Sequence, residues 1–261
     1  MSALRSHAFN LLFYGLTTLL CVGLLWTLAL PRAVMMAVIR QYLKTIAWLE
    51  RVVLGLDYEV RGRDRLPGGP FILAAKHQSA WETMKLHLLV DDPAPVLKRE
   101  LLSIPIWGWY ARKADVIPVD RGARSKAIQG MVKTARRVSG DGRPIVIFPQ
   151  GTRVAPGTWR PYRIGVFAMY EQLGLPVVPM ALNSGVFWGR RALRKYSGHI
   201  TVEFLEPIPP GLGRTEFLGR LERDLEGASD RLVRQVGGPP TIRPADAPPL
   251  GAAQPGRPAA G

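Results

Sequence analysis

Hydrophobic residues are concentrated at the start of the chain. Residues 8–30 are almost wholly apolar, with Arg5 before them and Pro31 and Arg32 after them. At ~1.5 Å per residue, a helix over this run would be about 34 Å long, enough to cross a hydrocarbon core of roughly 30 Å. The run predicts a helix that spans the membrane or enters one leaflet. A cleaved signal peptide is the alternative, but the run is longer than the apolar region of a typical signal peptide, and no clear small-x-small cleavage site follows it.

Residues 32–56 show helical periodicity instead. Apolar residues recur three and four positions apart and are interrupted by basic residues, which predicts an amphipathic helix at a membrane surface. Trp26 and Trp48 are of the type that lies at the lipid headgroup level. An ordinary helix facing the core of the soluble domain is the alternative, because it has the same periodicity. The apolar positions are Val34, Met35, Val38, Ile39, Tyr42, Leu43, Ile46 and Leu49.

Beyond residue 57, short apolar runs alternate with helical patterns. Such alternation predicts an α/β fold with a mixed, largely parallel sheet flanked by helices, preceded by the N-terminal membrane-associated helical pair. We therefore expect membrane-anchoring helices over 1–56, an α/β domain over 57–236 and a disordered Pro/Gly/Ala-rich tail over 237–261. The predicted strands cover residues 58–60, 71–75, 116–119, 145–148, 177–182 and 200–204.

Charge and cysteine content narrow the possible functions. Lys and Arg total 35 against 20 acidic residues, a formal net charge of +15, so an anionic partner is expected: nucleic acid, a membrane surface or a phosphorylated substrate. Cys21 is the only cysteine, which excludes an internal disulfide and a Cys-rich metal site. The 4 histidines are scattered, so no metal site is expected, and His87 is expected on an exposed helix face.

The clearest candidate for chemistry follows the predicted strand 71–75. His77 lies where that strand should open into a loop, the place where open α/β sheets bind ligands. If Glu82 lies in the first turn of the next helix, its carboxylate can fold back to one ring nitrogen and leave the other to take a proton. The alternative is a capping box, in which Glu82 only accepts from the backbone N–H of Ser79.

Three further segments carry candidate anion-binding groups. Gln150, Gly151, Thr152 and Arg153 follow the strand 145–148, where glycine allows close approach of backbone amides and arginine can grip a phosphate. By itself, this segment is more simply explained as a tight Pro-Gly turn with a solvated arginine. The other two segments surround Lys98 and Arg121.

These segments, in this order and separation, resemble the glycerolipid acyltransferase superfamily, and most closely its 1-acylglycerol-3-phosphate acyltransferases. The resemblance covers roughly residues 35 to 210. It implies transfer of a fatty acyl group from an acyl thioester to the 2-hydroxyl of a lysophospholipid that carries a phosphate. The matching blocks are His77 with Glu82; Lys98, Glu100 and Leu101 with Ile117, Pro118 and Arg121; Phe148 to Arg153; and Val177 to Pro179.

The resemblance also implies residue roles. His77 would be the general base, oriented by Glu82, and attack on the thioester would be direct, without an acyl-enzyme. The absence of a Gly-x-Ser-x-Gly elbow and of a usable cysteine nucleophile in the sequence agrees with direct attack. The residues implied in phosphate binding are Lys98, Arg121, Gly151, Thr152 and Arg153.

Two positions depart from the family pattern. Glu82 stands where the family has aspartate, so the contact with histidine must be made from a different backbone position. Gln150 stands where the family has glutamate, beside the expected phosphate site. Gln150 is therefore a possible acceptor-site contact and could signal a different lysolipid.

The expected partners follow from the same resemblance. They are membrane lipids, a lysophospholipid acceptor, and acyl-CoA or acyl carrier protein as the donor of the acyl group, with no cofactor and no nucleic acid. We expect the chain in the inner membrane, with its catalytic domain on the cytoplasmic face, because basic residues follow the first apolar run. The alternatives are acylation of another lysolipid, such as a lyso-ornithine lipid or lysophosphatidylglycerol, or a catalytically silent binder of anionic lipids.

Overall fold

A seven-stranded sheet forms the centre of the computed structural model, which describes residues 3–120 and 124–249. Helices α1 and α2 precede the sheet, and helices α3 to α8 flank its strands. The strands are β1 Leu56–Arg61, β2 Ile72–Ala75, β3 Ala94–Lys98, β4 Ile117–Val119, β5 Ile145–Ile147, β6 Val177–Leu182 and β7 Gly198–Phe204. The helices are α1 Ala3–Gly23, α2 Arg32–Leu49, α3 Trp81–Leu89, α4 Trp107–Lys113, α5 Arg124–Gly140, α6 Ile164–Leu173, α7 Ser184–Phe187 and α8 Arg214–Gln235.

The sheet has the strand order β1-β7-β6-β2-β5-β3-β4. Strands β6, β2, β5, β3 and β4 run parallel, and β7 is antiparallel to β6 while β1 is parallel to β7. The predicted mixed, largely parallel sheet is confirmed. Parallel strands end at the same edge of a sheet, so the loops after β2, β3, β4, β5 and β6 all begin there.

Successive side chains of β2 lie on opposite faces of the sheet and belong to two separate apolar cores. Ile72 and Ala74 pack with α5, α6 and α8 on one face, while Leu73 and Ala75 pack with α1 and α3 on the other. All four side chains are fully buried, as expected for a central strand covered by helices on both faces. The strand that precedes His77 is therefore rigidly held.

Helix α1 contacts the α/β domain near its own start. Ser6 Oγ donates to the Lys195 carbonyl over 3.0 Å, and Asn10 Nδ2 donates to the Leu193 carbonyl over 2.9 Å. The Lys195 ammonium in turn donates to Asn10 Oδ1. These buried polar contacts fix the first part of α1 against the loop before β7.

Helix α1 also contacts the domain near its end. The Tyr110 hydroxyl donates to the Cys21 carbonyl over 3.1 Å, and Lys113 Nζ donates to the Leu28 carbonyl over 2.5 Å. Leu28 belongs to the 3₁₀ segment Leu25–Ala29, which follows α1 where the apolar run predicted one continuous helix over 8–30. Both ends of α1 are thus attached to the same domain.

The outer surface of the N-terminal helices is apolar. In the described part of the chain, α1 is the helix that is long and apolar enough to cross a membrane, and only 17% of its most apolar window is buried. Leu11 on α1 is 77% exposed, and Trp26 and Trp48 are 58% and 59% exposed. The surface has the composition of a membrane-contacting face.

Three sequence-based expectations differ from the structure. Strand β3 was not predicted, because Pro95 and Lys98 interrupt its apolar pattern. His87 is half-buried near Asp92 rather than on an exposed face, and burial lowers its pKa to about 4. The start of the expected disordered tail packs on the domain, because Ile242 N–H donates to the Gly157 carbonyl over 3.2 Å.

Candidate active site

The carboxyl edge of the parallel strands gathers most of the predicted site. His77 follows β2, Gln150 to Arg153 follow β5, and Lys98 ends β3. Neighbouring strands are about 4.8 Å apart, so Lys98 lies two strand spacings, about 10 Å, from the line of β2. Its side chain is exposed. Arg121 lies outside the described residues.

His77 and Glu82 are in direct contact. His77 Nδ1 lies 2.8 Å from Glu82 Oε1. The Glu82 side chain is fully buried, whereas that of His77 is 13% exposed. With Nδ1 held by the carboxylate, Nε2 is the ring nitrogen left to accept a proton, as in other His-carboxylate pairs.

The first turn of α3 explains how Glu82 reaches the ring. Its Oε1 also accepts from the Ser79 and Gln78 backbone N–H groups over 2.7 and 2.8 Å, and Ser79 Oγ accepts from the Trp81 N–H over 3.1 Å. The capping-box contact and the histidine contact were alternatives from the sequence, and the same oxygen makes both. The extra methylene of glutamate is therefore accommodated by the start of the helix itself.

The second carboxylate oxygen of Glu82 has its own donor. Ser184 Oγ lies 2.7 Å from Glu82 Oε2, and both residues are completely buried. Ser184 begins α7 directly after β6, the strand adjacent to β2. Four donors therefore surround the carboxylate in a site closed to water.

The loop after β5 packs directly on His77. The Phe148 ring stacks on the imidazole with centroids 4.0 Å apart and planes inclined by 24°. The Val154 N–H donates to the His77 carbonyl over 2.7 Å. These contacts fix the histidine and place the two loops at one site.

The predicted phosphate-binding loop forms a tight turn after β5. Gly151 has φ of +66°, a left-handed conformation that glycine adopts without strain, and its N–H donates to the Phe148 carbonyl over 2.8 Å. Gly151, Thr152 and Arg153 are half-buried at the same edge as His77. Their role in binding phosphate stays a prediction.

Gln150 does not behave as an open-site contact in the structure. Its side chain is only 3% exposed, and its Nε2 donates to Glu226 Oε1 over 3.3 Å. Glu226 Oε2 pairs with Lys76 Nζ at 2.5 Å, and Tyr162 OH donates to Glu226 Oε1 over 2.9 Å. Burial, followed by the nearby Glu226 charge, raises the pKa of Tyr162 well above its usual value.

This cluster explains the family departure at Gln150. Helix α8 supplies the carboxylate, so glutamine can donate to Glu226 where a second carboxylate would be repelled. Gln150 is therefore part of the buried support of the loop after β5. Its contact with an acceptor stays a prediction.

Sequence reasoning missed Ser184 and Glu226. Ser184 follows the predicted strand 177–182 closely, so its position at the carboxyl edge was an available signal. Glu226 is one of several acidic residues on α8, and only the tertiary structure distinguishes it. Within residues 3–120 and 124–249, no group of three or more His, Cys, Asp or Glu side chains is arranged to hold a metal.

The chain is similar to several known acyltransferases. A family model described as Acyltransferase matches residues 57–183. The 1-acyl-sn-glycerol-3-phosphate acyltransferase of Pseudomonas aeruginosa is 37% identical over 165 residues, which cover 63% of this chain and 64% of that protein. The Saccharomyces cerevisiae enzyme of the same name is 26% identical over 203 residues, covering 76% of this chain and 67% of that protein.

A solved structure shows the same fold. The 1-acyl-sn-glycerophosphate (LPA) acyltransferase PlsC from Thermotoga maritima aligns with a TM-score of 0.71 at 22% identity, covering 90% of this chain and 98% of that one. The match to the Pseudomonas protein spans just under two thirds of that relative's length. Residues 57–183, which carry His77, Glu82 and the loop after β5, are therefore similar to the acyltransferase family, and the chain has the fold of the solved PlsC structure.

Proposed function

We propose that this chain transfers a fatty acyl group to the 2-hydroxyl of 1-acyl-glycerol-3-phosphate and so forms phosphatidic acid. The donor is an acyl thioester of coenzyme A or of acyl carrier protein, and no cofactor takes part. The contact between His77 Nδ1 and Glu82 Oε1, 2.8 Å long at the edge that also carries the Gly151 loop, is the observation that carries this proposal.

The proposed reaction uses His77 twice. Its Nε2 removes the proton from the acceptor hydroxyl as the oxygen attacks the thioester carbonyl. The C–O bond forms, the C–S bond breaks, and the imidazolium returns the proton to the departing thiolate. Glu82 holds the ring tautomer and stabilises the imidazolium, which exists only after proton transfer.

Phosphate binding would place the hydroxyl at the base. In the proposal, Gly151, Thr152 and Arg153 hold the acceptor phosphate, with Lys98 and Arg121 adding positive charge. Fixing the acceptor in this way converts much of the encounter into an intramolecular step, which accounts for a large part of the rate.

Acyl transfer in mixed micelles tests the proposal. We expect wild-type protein to form phosphatidic acid from lysophosphatidic acid and a long-chain acyl-CoA, and His77→Ala to lose at least ~100-fold in rate, typical of a lost general base. His199→Ala is the matched control, because His199 is exposed on β7. Activity in His77→Ala equal to wild type would refute the role of the base.

The choice of acceptor needs a separate comparison. Lysolipids without a terminal phosphate monoester, such as lysophosphatidylglycerol, are offered in the same assay. Higher kcat/KM with one of them would replace the proposed acceptor while keeping acyl transfer. Inactivity of wild type with every acceptor and thioester would point to a silent lipid binder.

We also propose that the chain enters one leaflet on the cytoplasmic side of the inner membrane. The contacts that both ends of α1 make with one domain support this proposal, because a helix that left the domain to cross the bilayer would keep only one end attached to it. The exposed Trp26 and Trp48 support an interfacial position. Brominated lipids test this: shallow bromines should quench tryptophan fluorescence more strongly than bromines at the bilayer centre.

A further inference from the structure

We propose that Ser184 is a positioning residue of the catalytic pair, acting through the second oxygen of Glu82. This inference rests on the proposed function and deepens it. The hydroxyl of Ser184 donates to Glu82 Oε2 over 2.7 Å, while His77 contacts Oε1. Histidine, glutamate and serine thus form one buried hydrogen-bonded chain.

The two oxygens of Glu82 are held differently. Oε1 is bonded by the His77 ring and by two backbone N–H groups, those of Gln78 and Ser79. Oε2 accepts a hydrogen bond from Ser184 Oγ. A buried carboxylate oxygen that loses its donor carries the full cost of desolvation, so this single hydroxyl has a large effect on where the carboxylate sits.

Glutamate makes this second anchor more important. It has one more side-chain torsion than aspartate, so more side-chain rotamers must be excluded to hold its carboxylate at the ring. The contact at Oε2 adds a second fixed point and helps keep the Oε1 lone pair directed at Nδ1. The serine therefore supports the longer acid that this chain uses at position 82.

The backbone around Ser184 is itself fixed against the His77 loop. The Gly185 N–H donates to Gln78 Oε1 over 3.0 Å. A Cβ at Gly185 would lie 2.8 Å from Gln78 Cβ and 2.7 Å from Pro156 Cδ, so only glycine permits this approach. The segment after β6 is thus packed to hold the serine hydroxyl in place before substrate arrives.

The neighbouring Asn183 anchors the same segment on its other side. Asn183 Oδ1 accepts from the Thr201 N–H over 2.9 Å, and its Nδ2 donates to the Leu232 carbonyl over 3.3 Å. Strand β7 and helix α8 therefore both fix the start of α7. The hydroxyl of Ser184 is preorganised by four elements: β2's loop, β6, β7 and α8.

The Ser184 hydroxyl has a predictable effect on the base. Its hydrogen bond partly neutralises the negative charge of the Glu82 carboxylate, which faces the imidazole. Removing the hydroxyl therefore leaves more negative charge on Glu82 to stabilise the imidazolium. The charged groups on the surrounding elements include Lys76, paired with Glu226, Lys85 on α3, paired with Glu50, and Arg153 in the loop after β5; Arg231 on α8 is paired with Glu203 on β7. Serine is neutral, so its removal leaves these charges unchanged.

Ser184→Ala in the full chain, assayed in mixed micelles with lysophosphatidic acid and acyl-CoA, tests the inference. We expect kcat to fall about tenfold, the size of one lost hydrogen bond to a charged group, with KM changed less than about twofold. The acidic limb of the kcat/KM profile against pH should move upward by about half a unit, because the histidine holds its proton more tightly.

Ser229→Ala is the matched control. Ser229 lies on α8, is 1% exposed, and its Oγ has no hydrogen-bond partner among the described residues. The control should keep wild-type kcat and an unshifted acidic limb. Its comparison with Ser184→Ala separates loss of the Glu82 contact from loss of any buried serine.

The outcomes distinguish this inference from the proposed function. If wild type is active and Ser184→Ala has the same kcat and the same acidic limb, the inference alone is overturned. An equal loss of activity at every pH in Ser184→Ala also overturns it, because that result indicates a structural role. Inactive wild type overturns the proposed function first. If Ser184→Ala does not fold, Ser184→Cys is measured instead, because a thiol is a much weaker donor to Glu82 Oε2 than a hydroxyl. It should show a lower kcat and a raised acidic limb, and wild-type values of both in that variant overturn the inference.

Discussion

A buried ion pair joins the N-terminal helices to the helix that carries Glu82. Lys85 Nζ on α3 lies 2.9 Å from Glu50 Oε2, in the π-helical turn Glu50–Leu54 that follows α2. Their side chains are 0% and 1% exposed. Trp81 Nε1 donates to the same Glu50 oxygen over 3.0 Å, while Glu50 Oε1 has no partner among the described residues.

Lys85→Met should destabilise the protein strongly. It keeps most of the side-chain volume but leaves the Glu50 carboxylate uncompensated, a change that costs about 3–5 kcal/mol in comparable buried pairs. For a chain of this size, each kcal/mol lowers Tm by about 2–4 °C, so a decrease of roughly 6–20 °C is expected. Because Glu82 lies one turn before Lys85, activity should fall with stability.

The loss should depend on pH. Burial raises the pKa of Glu50 even with Lys85 present, and removing the cation raises it further. A folded-state pKa above the unfolded value gives stability that is present below the unfolded pKa and lost as pH rises through the folded one. Lys85→Met should therefore be closer to wild type at about pH 5 than at about pH 8.

Thermal unfolding in detergent micelles, followed by tryptophan fluorescence, measures this effect. The double variant Glu50→Gln with Lys85→Met removes both charges and should recover most of the stability and lose the extra pH dependence. An equal Tm decrease at both pH values for Lys85→Met would refute the reasoning. So would a double variant no more stable than the single one.

Two further perturbations test other buried groups. Gln150→Glu would place a second carboxylate where Gln150 Nε2 now lies 3.3 Å from Glu226 Oε1, and the two negative charges would repel each other. Repulsion is strongest when both carboxylates are ionised, so the variant's Tm should fall more at about pH 8 than at about pH 5, and Tm values equal to wild type would contradict this. Burial lowers the pKa of His87 to about 4 from its usual 6.5, so stability is lost as pH falls between these values. His87→Gln should remove up to ~3 kcal/mol of this pH dependence in unfolding measurements, and an unchanged slope would count against it.

The sequence predicted the sheet well where strands are central. Strands β2 and β6 are buried on both faces, so their apolar runs stood out from the flanking polar loops. Strand β3 lies near the edge and contains Pro95, and its pairing with β5 extends over two residues. Its identity as a strand depends on neighbours that no local pattern reveals.

The contact between His77 and Glu82 was predictable in outline because its geometry is local. His77 and Glu82 are five residues apart, and a strand end followed by a helix start brings them together. Ser184 and Glu226 come from segments more than a hundred residues away, so their contacts depend on strand order and helix docking. The position of Gln150 after β5 was predictable, but the direction of its side chain depends on Glu226 of α8, to which it donates.

Contacts between α1 and the segment before β7 delay completion of the fold during synthesis. Ser6 and Asn10 bond to residues near Lys195, which is 189 positions later than Ser6. At ~5–20 residues per second, the ribosome needs about 10–40 s to make the intervening chain. Throughout that time the polar groups of α1 lack their final partners and its apolar surface is uncovered. A membrane surface or a chaperone must shield the nascent helix before the rest of the domain exists to receive it.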